Sequence, residues 1–189
     1  MRVLALVTDC FGGRGGIAQY NRDLVTALSL SSAVSEVVAL PRLGTASGEE
    51  VPTKVEQVAP VASRVGYSLR AAELALSRGP FDVIFCGHIY FAPLATVIAH
   101  RRRLPVWLQL HGIDSWERPS RLLQASIERT ELITAVSRYT RHRILEWSSI
   151  DPMRIRVLPN TMRFPIRARD PEAKVPNDLP FAGKPYLIT

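Results

Sequence analysis

Hydrophobic residues along the chain come in short β-branched runs, separated by longer segments in which apolar positions recur every three or four residues. Alternation of this kind marks βαβ units, whose parallel strands are buried on both faces and joined by crossover helices. Seven strands are predicted, near residues 2–8, 34–40, 55–59, 82–87, 105–110, 132–136 and 155–158. Helices are predicted at 16–30, 61–78, 90–102, 119–130 and 137–147. On the first helix Ile17, Leu24, Ala27 and Leu28 share one face, and on the second Val61, Val65, Leu69, Ala72 and Leu76 do, so both stripes are expected in the core. The fold class is α/β: a doubly wound, mostly parallel sheet with helices on both faces.

Two segments break the pattern. Residues 41–53 carry Pro41, Gly44, Gly48 and Pro52 among polar residues and read as a mobile surface loop. From residue 162 onward Pro165, Pro171, Pro176, Pro180 and Pro185 interrupt a charged stretch that cannot hold a long helix or a central strand. The expected organisation is one domain over residues 1–162, then a Pro-rich linker over 163–189 running into the apolar Tyr186, Leu187 and Ile188 as the start of a second domain. The alternative is that this last segment adds to the edge of the first domain's own sheet.

With 47% hydrophobic and 22% charged residues the 189-residue chain lies in the globular range. A chain of this mass buries roughly 70% of its unfolded surface and needs no disulfide or metal staple. Cys10 and Cys86 are the only cysteines, too few for a secreted disulfide framework, and are expected as reduced thiols in a cytoplasmic setting. The apolar start MRVLALV stops at Thr8 and Asp9, short of an export signal, and the longest apolar runs are too short to cross a bilayer. The net charge of +7 comes almost wholly from arginine, because only Lys54, Lys174 and Lys184 are lysines. Such a balance fits a polyanion partner, whether nucleic acid, anionic lipid or phosphorylated substrate. Arg101, Arg102 and Arg103 suit a helix carboxyl end, whereas Arg138, Arg141 and Arg143 open a helix, where an anionic partner fits better. Single-stranded nucleic-acid binding requires aromatics interleaved with such runs, and only Tyr139 beside Arg138 is found.

In an open parallel sheet, ligands bind beyond the carboxyl ends of the strands. The residues predicted there are Asp9 and the loop Gly12-Gly13-Arg14-Gly15-Gly16, then Gly87-His88, His111-Gly112-Ile113-Asp114, Ser137 and Asn160. The glycine loop runs directly into the first helix, whose leading amides have no intrahelical acceptor and favour an anion. A phosphate is one reading; a tight turn is the other. GRGGIA over 13–18 also fits a dinucleotide fingerprint, with Arg42 available to a 2′-phosphate, which keeps an NADP-dependent oxidoreductase among the alternatives. His111 and its neighbours can present a donor to a sugar hydroxyl, or His111 can be a hydrogen-bonded structural residue. No metal site is expected, since neither H-x3-H nor C-x2-C spacing occurs, and His100 and His142 are expected on solvated helix faces.

The segments GGRGGIAQYNRDLVTAL, DVIFCGH, LQLHGID, LITAVSRYTRHRI and VLPNTM, in this order and spacing, resemble the amino-terminal half of a glycosyltransferase family 4 enzyme of the GT-B fold. The resemblance spans about residues 1–162. It implies a Rossmann-like domain that binds mainly the acceptor, facing a second domain that binds the nucleotide-sugar, and transfer with retention of anomeric configuration. By position, Gly15 and Gly16 resemble the glycines that approach the donor diphosphate, and His111 the active-site histidine that contacts the donor sugar. Arg14, His88 and Asp114 would lie on the acceptor side of the cleft, and Ser137 and Asn160 near the interdomain crevice. Asn160 is followed by Thr161 where many relatives carry glycine.

The resemblance implies transfer of a hexose, with mannose among the candidates, from a GDP- or UDP-linked donor to a saccharide or lipid-linked acceptor in cell-surface polysaccharide synthesis. The nucleotide-sugar is a co-substrate, and no cofactor is expected. The basic excess fits peripheral docking on the inner, anionic face of a membrane. Because the family's donor-binding motif belongs to the second domain, this chain alone is expected to transfer no sugar at a useful rate. An NADP-binding domain and a basic nucleic-acid-binding module are the alternatives.

Overall fold

Seven strands form one sheet: β1 (Arg2–Val7), β2 (Glu36–Pro41), β3 (Val55–Gln57), β4 (Val83–Cys86), β5 (Val106–Leu110), β6 (Leu132–Ala135) and β7 (Ile155–Val157). They lie in the order β3-β2-β1-β4-β5-β6-β7, and every pair is parallel. Five α-helices connect them: α1 (Gly16–Leu30), α2 (Arg64–Ser77), α3 (Ala92–Arg102), α4 (Arg121–Glu128) and α5 (Arg138–Trp147). The structure, a computed structural model, describes residues 1–44 and 50–160. The linker and second-domain start expected over 163–189 lie outside the described residues. All seven predicted strands are present, within two or three residues of their expected limits.

β1 is central, with Leu4 registered against Val38 of β2 on one side and Ile84 of β4 on the other. Successive side chains alternate across the sheet. Val3, Ala5 and Val7 pack toward α1 with Tyr20, Val25 and Phe85, while Leu4 and Leu6 pack into a larger layer built by α2, α3, α4 and α5. The chain winds from β1 toward β2 in one direction and from β4 toward β7 in the other, so the strand order reverses between β1 and β4. That switch point opens a crevice at the carboxyl ends of these strands, where a doubly wound sheet binds ligands.

Two helices turn a different face inward from the one their aliphatic spacing predicts. α2 buries Tyr67, Ala71, Leu74 and Ala75, while Val65, Leu69 and Leu76 are 71%, 67% and 67% exposed. The Tyr67 hydroxyl donates to the Leu40 carbonyl at 2.9 Å and its ring stacks on Phe91. The two alanines let the helix sit close to the sheet, so a hydrogen-bonded aromatic and small residues outcompete the aliphatic stripe. Val61 alone of that stripe packs on the core as expected, although it precedes the helix. α1 buries Ala18, Tyr20, Asn21, Val25 and Ser29, with Leu24 and Leu28 at the margin and Ala27 exposed.

β2 runs one residue into the segment read as a mobile loop. Beyond it, the N–H groups of Arg42 and Leu43 donate to the carbonyls of Val7 and Thr8 at 3.0 and 2.8 Å. Residues 45–49 of that segment lie outside the described residues. No helix among the described residues is long and apolar enough to cross a membrane.

Candidate functional site

The loop between β1 and α1 is fastened from behind and open in front. Phe11 and Gln57 exchange hydrogen bonds, N–H to Oε1 at 2.9 Å and Nε2–H to the carbonyl at 2.8 Å. Arg22 donates to the carbonyls of Cys10 and Gly13 at 3.2 and 2.7 Å, and Asn21 Nδ2 donates to that of Asp9 at 2.8 Å. A Cβ on Gly13 would collide with the Asp9 carboxylate, whereas one on Gly15 or Gly16 would meet no atom within 4 Å. Gly15 is the N-cap of α1 with φ 95° and ψ 173°, a conformation reserved for glycine. It caps with no side chain, and no acidic residue occupies the first turn. The leading amides of α1 therefore have no side-chain acceptor, and the positive end of a fifteen-residue helix lies behind them. The space in front of Gly15 and Gly16 is open, and the tight turn is made by Gly12 and Gly13.

Across the switch point, Gly87 and His88 follow β4, and His111 follows β5. His111 Nε2 lies 2.9 Å from the Gly87 carbonyl oxygen. A carbonyl only accepts, so Nε2 carries the proton and Nδ1 of the neutral ring keeps its lone pair. The Tyr20 ring meets His111 edge-on at 5.0 Å, tying the imidazole to the amino-terminal part of α1. A Cβ on Gly87 would crowd Val7 Cγ1 at 2.9 Å, Phe85 at 3.1 Å and Asn21 Oδ1 at 3.2 Å.

His88 is buried beside it, the two rings 6.3 Å apart. Its Nδ1 accepts from the Tyr90 N–H at 3.4 Å, leaving Nε2–H toward Asp114 Oδ2, also at 3.4 Å. Tyr90, 64% exposed, stacks on the His88 ring. Burial lowers the pKa of both histidines below the ordinary 6.5; Asp114 pulls His88 back up, and the Gly87 carbonyl does the same for His111. Both rings are neutral at pH 7, and the pair offers a carboxylate, a lone-pair nitrogen and an aromatic face on one side of the crevice.

Behind the rim is a buried polar network. Gln109 in the middle of β5 accepts through Oε1 from the Tyr20 hydroxyl at 2.7 Å and from the Thr134 hydroxyl at 2.5 Å, while the Trp107 indole N–H donates to Thr134 Oγ1 at 2.7 Å. Tyr20 is thus held at both ends, by Gln109 and by His111. None of Tyr20, Asn21, Gln57 or Gln109 stands out by motif; the available signal was a glutamine within the apolar run VWLQL, which must find partners if buried.

The remaining predicted residues are distributed along the same edge. Arg14 is exposed at the tip of the glycine loop. Ser137 caps α5, accepting from the Thr140 N–H at 3.0 Å and donating to Thr140 Oγ1 at 3.1 Å. The Trp116 indole, two residues past Asp114, donates to the same Thr140 oxygen at 3.4 Å. Asn160 is exposed beyond β7, whose end is tied in by Leu158 N–H to the Ala135 carbonyl at 2.9 Å. The basic triplet of α5 serves mostly the fold: Arg141 donates to the carbonyls of Ile155 and Pro152, and Arg143 pairs with Glu146 and donates to the Trp116 carbonyl. Of the three only Arg138 is exposed; Arg141 and Arg143 are partly buried. His100 and His142 are exposed, as expected. No three His, Cys, Asp or Glu residues gather as metal ligands among the described residues.

A doubly wound parallel sheet with this strand order and a glycine-lined rim is a Rossmann-like domain of the kind found in GT-B glycosyltransferases. The sequence model of Glycosyltransferase Family 4 matches residues 14–162, and the chain belongs to that family. Among solved structures it is similar to Anabaena HepE in complex with UDP and glucose, at 18% identity and TM-score 0.59 over 86% of this chain and 45% of that one. It is also similar to the lipopolysaccharide outer core galactosyltransferase WaaB in its apo form, at 13% identity and TM-score 0.58 over 86% and 46%. S. aureus MnaA with UDP aligns at 16% identity and TM-score 0.57 over 85% and 44%. At these identities the likeness establishes the fold, and the chain spans less than half the length of each of these structures. No curated protein matches the chain.

Proposed function

We propose that this domain is the amino-terminal, acceptor-side half of a retaining glycosyltransferase. The reaction is transfer of a hexose, mannose being one candidate, from a UDP- or GDP-linked donor to a saccharide or lipid-linked acceptor in cell-surface polysaccharide synthesis. The observation that carries this reading is the pairing of two features across the switch point. On one side are the open, uncapped amides of Gly15 and Gly16; on the other, His111 is anchored on Gly87 beside the His88–Asp114 pair. The amides suit a diphosphate, and the His111 Nδ1 lone pair suits a hexose hydroxyl at hydrogen-bond distance. His88, Asp114 and the exposed Tyr90 suit an acceptor sugar, which brings hydroxyls for the carboxylate and an apolar ring face for the phenol. Arg14 stands at the acceptor side, and Ser137 and Asn160 border the crevice toward a second domain. The UDP held by HepE and MnaA supports uridine over guanosine as the donor base.

Both walls of the cleft are needed to neutralise the departing diphosphate and to keep water from the reacting carbon. The chain covers 44–46% of its solved neighbours, which supports the reading of residues 1–162 as one of two such walls. On that reading the isolated domain binds a nucleotide-sugar weakly and turns none over. The excess of arginine supports a peripheral site on an anionic cytoplasmic membrane face, where lipid-linked acceptors reside.

The test is a titration of the isotope-labelled chain with UDP-glucose, GDP-mannose and NADPH, read by amide chemical shifts. Saturable shifts at Gly15, Gly16, Ile17 and His111 with a nucleotide-sugar are the expected result. Shifts with NADPH alone, or none at the α1 amino terminus with either sugar nucleotide, would reject the transferase reading.

A further inference from the structure

At the opposite end of the sheet, α3 and α4 finish close to each other and to the start of β5. Between them is a cavity of about 1100 Å3 lined by Val97, His100, Arg101, Arg103, Leu104 and Pro105, among others, with Arg129 and Glu131 closing its far side. Ligand sites of this size are ordinary in enzymes. Arg101, Arg103 and Arg129 form no ion pair among the described residues, and the Glu131 carboxylate is already engaged, accepting from the Val106 N–H at 2.6 Å. One carboxylate and two helix carboxyl ends, each worth about half a negative charge, do not cancel three guanidiniums, so the cavity is net positive.

The backbone provides a second, independent sign. Arg103 is the only non-glycine residue with positive φ among the described residues, at φ 55° and ψ 46°. It ends α3 in the left-handed turn that lets the Arg103 and Leu104 N–H groups reach the Ala99 carbonyl, the latter at 3.0 Å. Glycine is the residue this position favours, because a Cβ there meets the following carbonyl. An arginine in that place gives up fold stability and adds a cationic residue to the cavity lining.

We propose that this cavity is a second ligand site, remote from the crevice, that takes a soluble oligophosphate: an anion with two or more phosphate groups. Guanidinium forks match phosphate oxygens in bidentate pairs, and three of them around one cavity call for more than one anionic group. Val97, Leu104 and Pro105 give an apolar wall for a ring or short chain carried by the same molecule. A membrane is the poorer occupant, since docking at this end would turn the crevice away from the lipid surface. The choice against a membrane rests on the transferase reading; the cavity and its guanidiniums do not.

The test uses inorganic tripolyphosphate with the whole chain in the presence of saturating UDP-glucose, so that the crevice is occupied. Saturable binding that shifts the backbone amides of residues 101–103 and 129 is expected. Arg103→Gly and Arg129→Ala should each weaken it by about tenfold or more. Arg103→Gly should at the same time keep or raise the denaturation midpoint, which separates loss of a ligand contact from loss of fold. Tripolyphosphate shifts confined to the α1 amino terminus, affinity unchanged in both variants, or adsorption to phosphatidylglycerol vesicles without saturable tripolyphosphate binding would each overturn the proposal.

Discussion

His111 Nε2 rests on the main-chain carbonyl of Gly87 at 2.9 Å, so the orientation and tautomer of the imidazole are set by the end of a neighbouring strand. The ring is half-buried and neutral, and its Nδ1 is available to accept a hydrogen bond. On the proposed transferase reading, His111→Ala in the intact protein should reduce turnover by about 100-fold or more, the usual weight of a positioned acid–base or polar partner at the reacting centre. Release of nucleoside diphosphate measures this. An unchanged rate would assign the residue a purely structural role.

Three of the four loop glycines should separate by substitution. Gly16→Ala adds a methyl in open space at the first position of α1 and should leave stability unchanged or raise it by up to about 1 kcal/mol. The same methyl occupies the space a diphosphate would need, so UDP binding should fall sharply. Gly15→Ala should cost about 1–3 kcal/mol because of its φ of 95°. Gly13→Ala drives a methyl into the Asp9 carboxylate and should open the loop. Urea midpoints together with UDP titrations distinguish these outcomes.

Folding stability should depend on pH through His88 and His111. Burial depresses both below the ordinary 6.5, so the unfolded chain takes up protons first as pH falls. Their contribution to stability is intact above 6.5 and should be lost progressively as pH drops through the folded-state values. Urea midpoints between pH 8 and pH 5 test this. A double variant, His88→Gln with His111→Gln, should flatten the profile.

Gln109 joins the central sheet to the rim. Gln109→Leu would strip the buried Tyr20 and Thr134 hydroxyls of their shared acceptor, at about 1–3 kcal/mol. Since the Tyr20 ring leans on His111, the variant should also broaden or shift the His111 imidazole resonances. A stable variant with an unmoved imidazole would show that Tyr20 is held by packing alone.

Tyr90 should report on the acceptor. Its ring is exposed and rests on His88, so Tyr90→Ala should change stability by no more than about 0.5 kcal/mol. On the proposed transferase reading, saccharide KM in the intact protein should rise, while hydrolysis of the donor in the absence of acceptor stays as it was.

The central strands were legible because each is short, apolar and buried on both faces, as in LALV of β1 and VIFC of β4. The rim followed from the strands, since a parallel sheet delivers every carboxyl end to the same edge. The inward face of α2 was not legible: Tyr67, Ala71, Leu74 and Ala75 repeat at the same helical spacing as Val65, Leu69, Ala72 and Leu76. Only the Leu40 carbonyl and the Phe91 ring decide between them. The encounter of His88 with Asp114 was equally hidden. It depends on the backbone after β5 turning through Gly112 at φ 133°, which brings a carboxylate back over the neighbouring strand.

Gly87 has room for a hydrogen and nothing larger. The imidazole it supports therefore inherits the rigidity of the sheet, and an added methyl group there would be transmitted to His111 Nδ1 as misalignment. Some variants deep in this domain should accordingly look well folded by every bulk measure and yet be chemically silent.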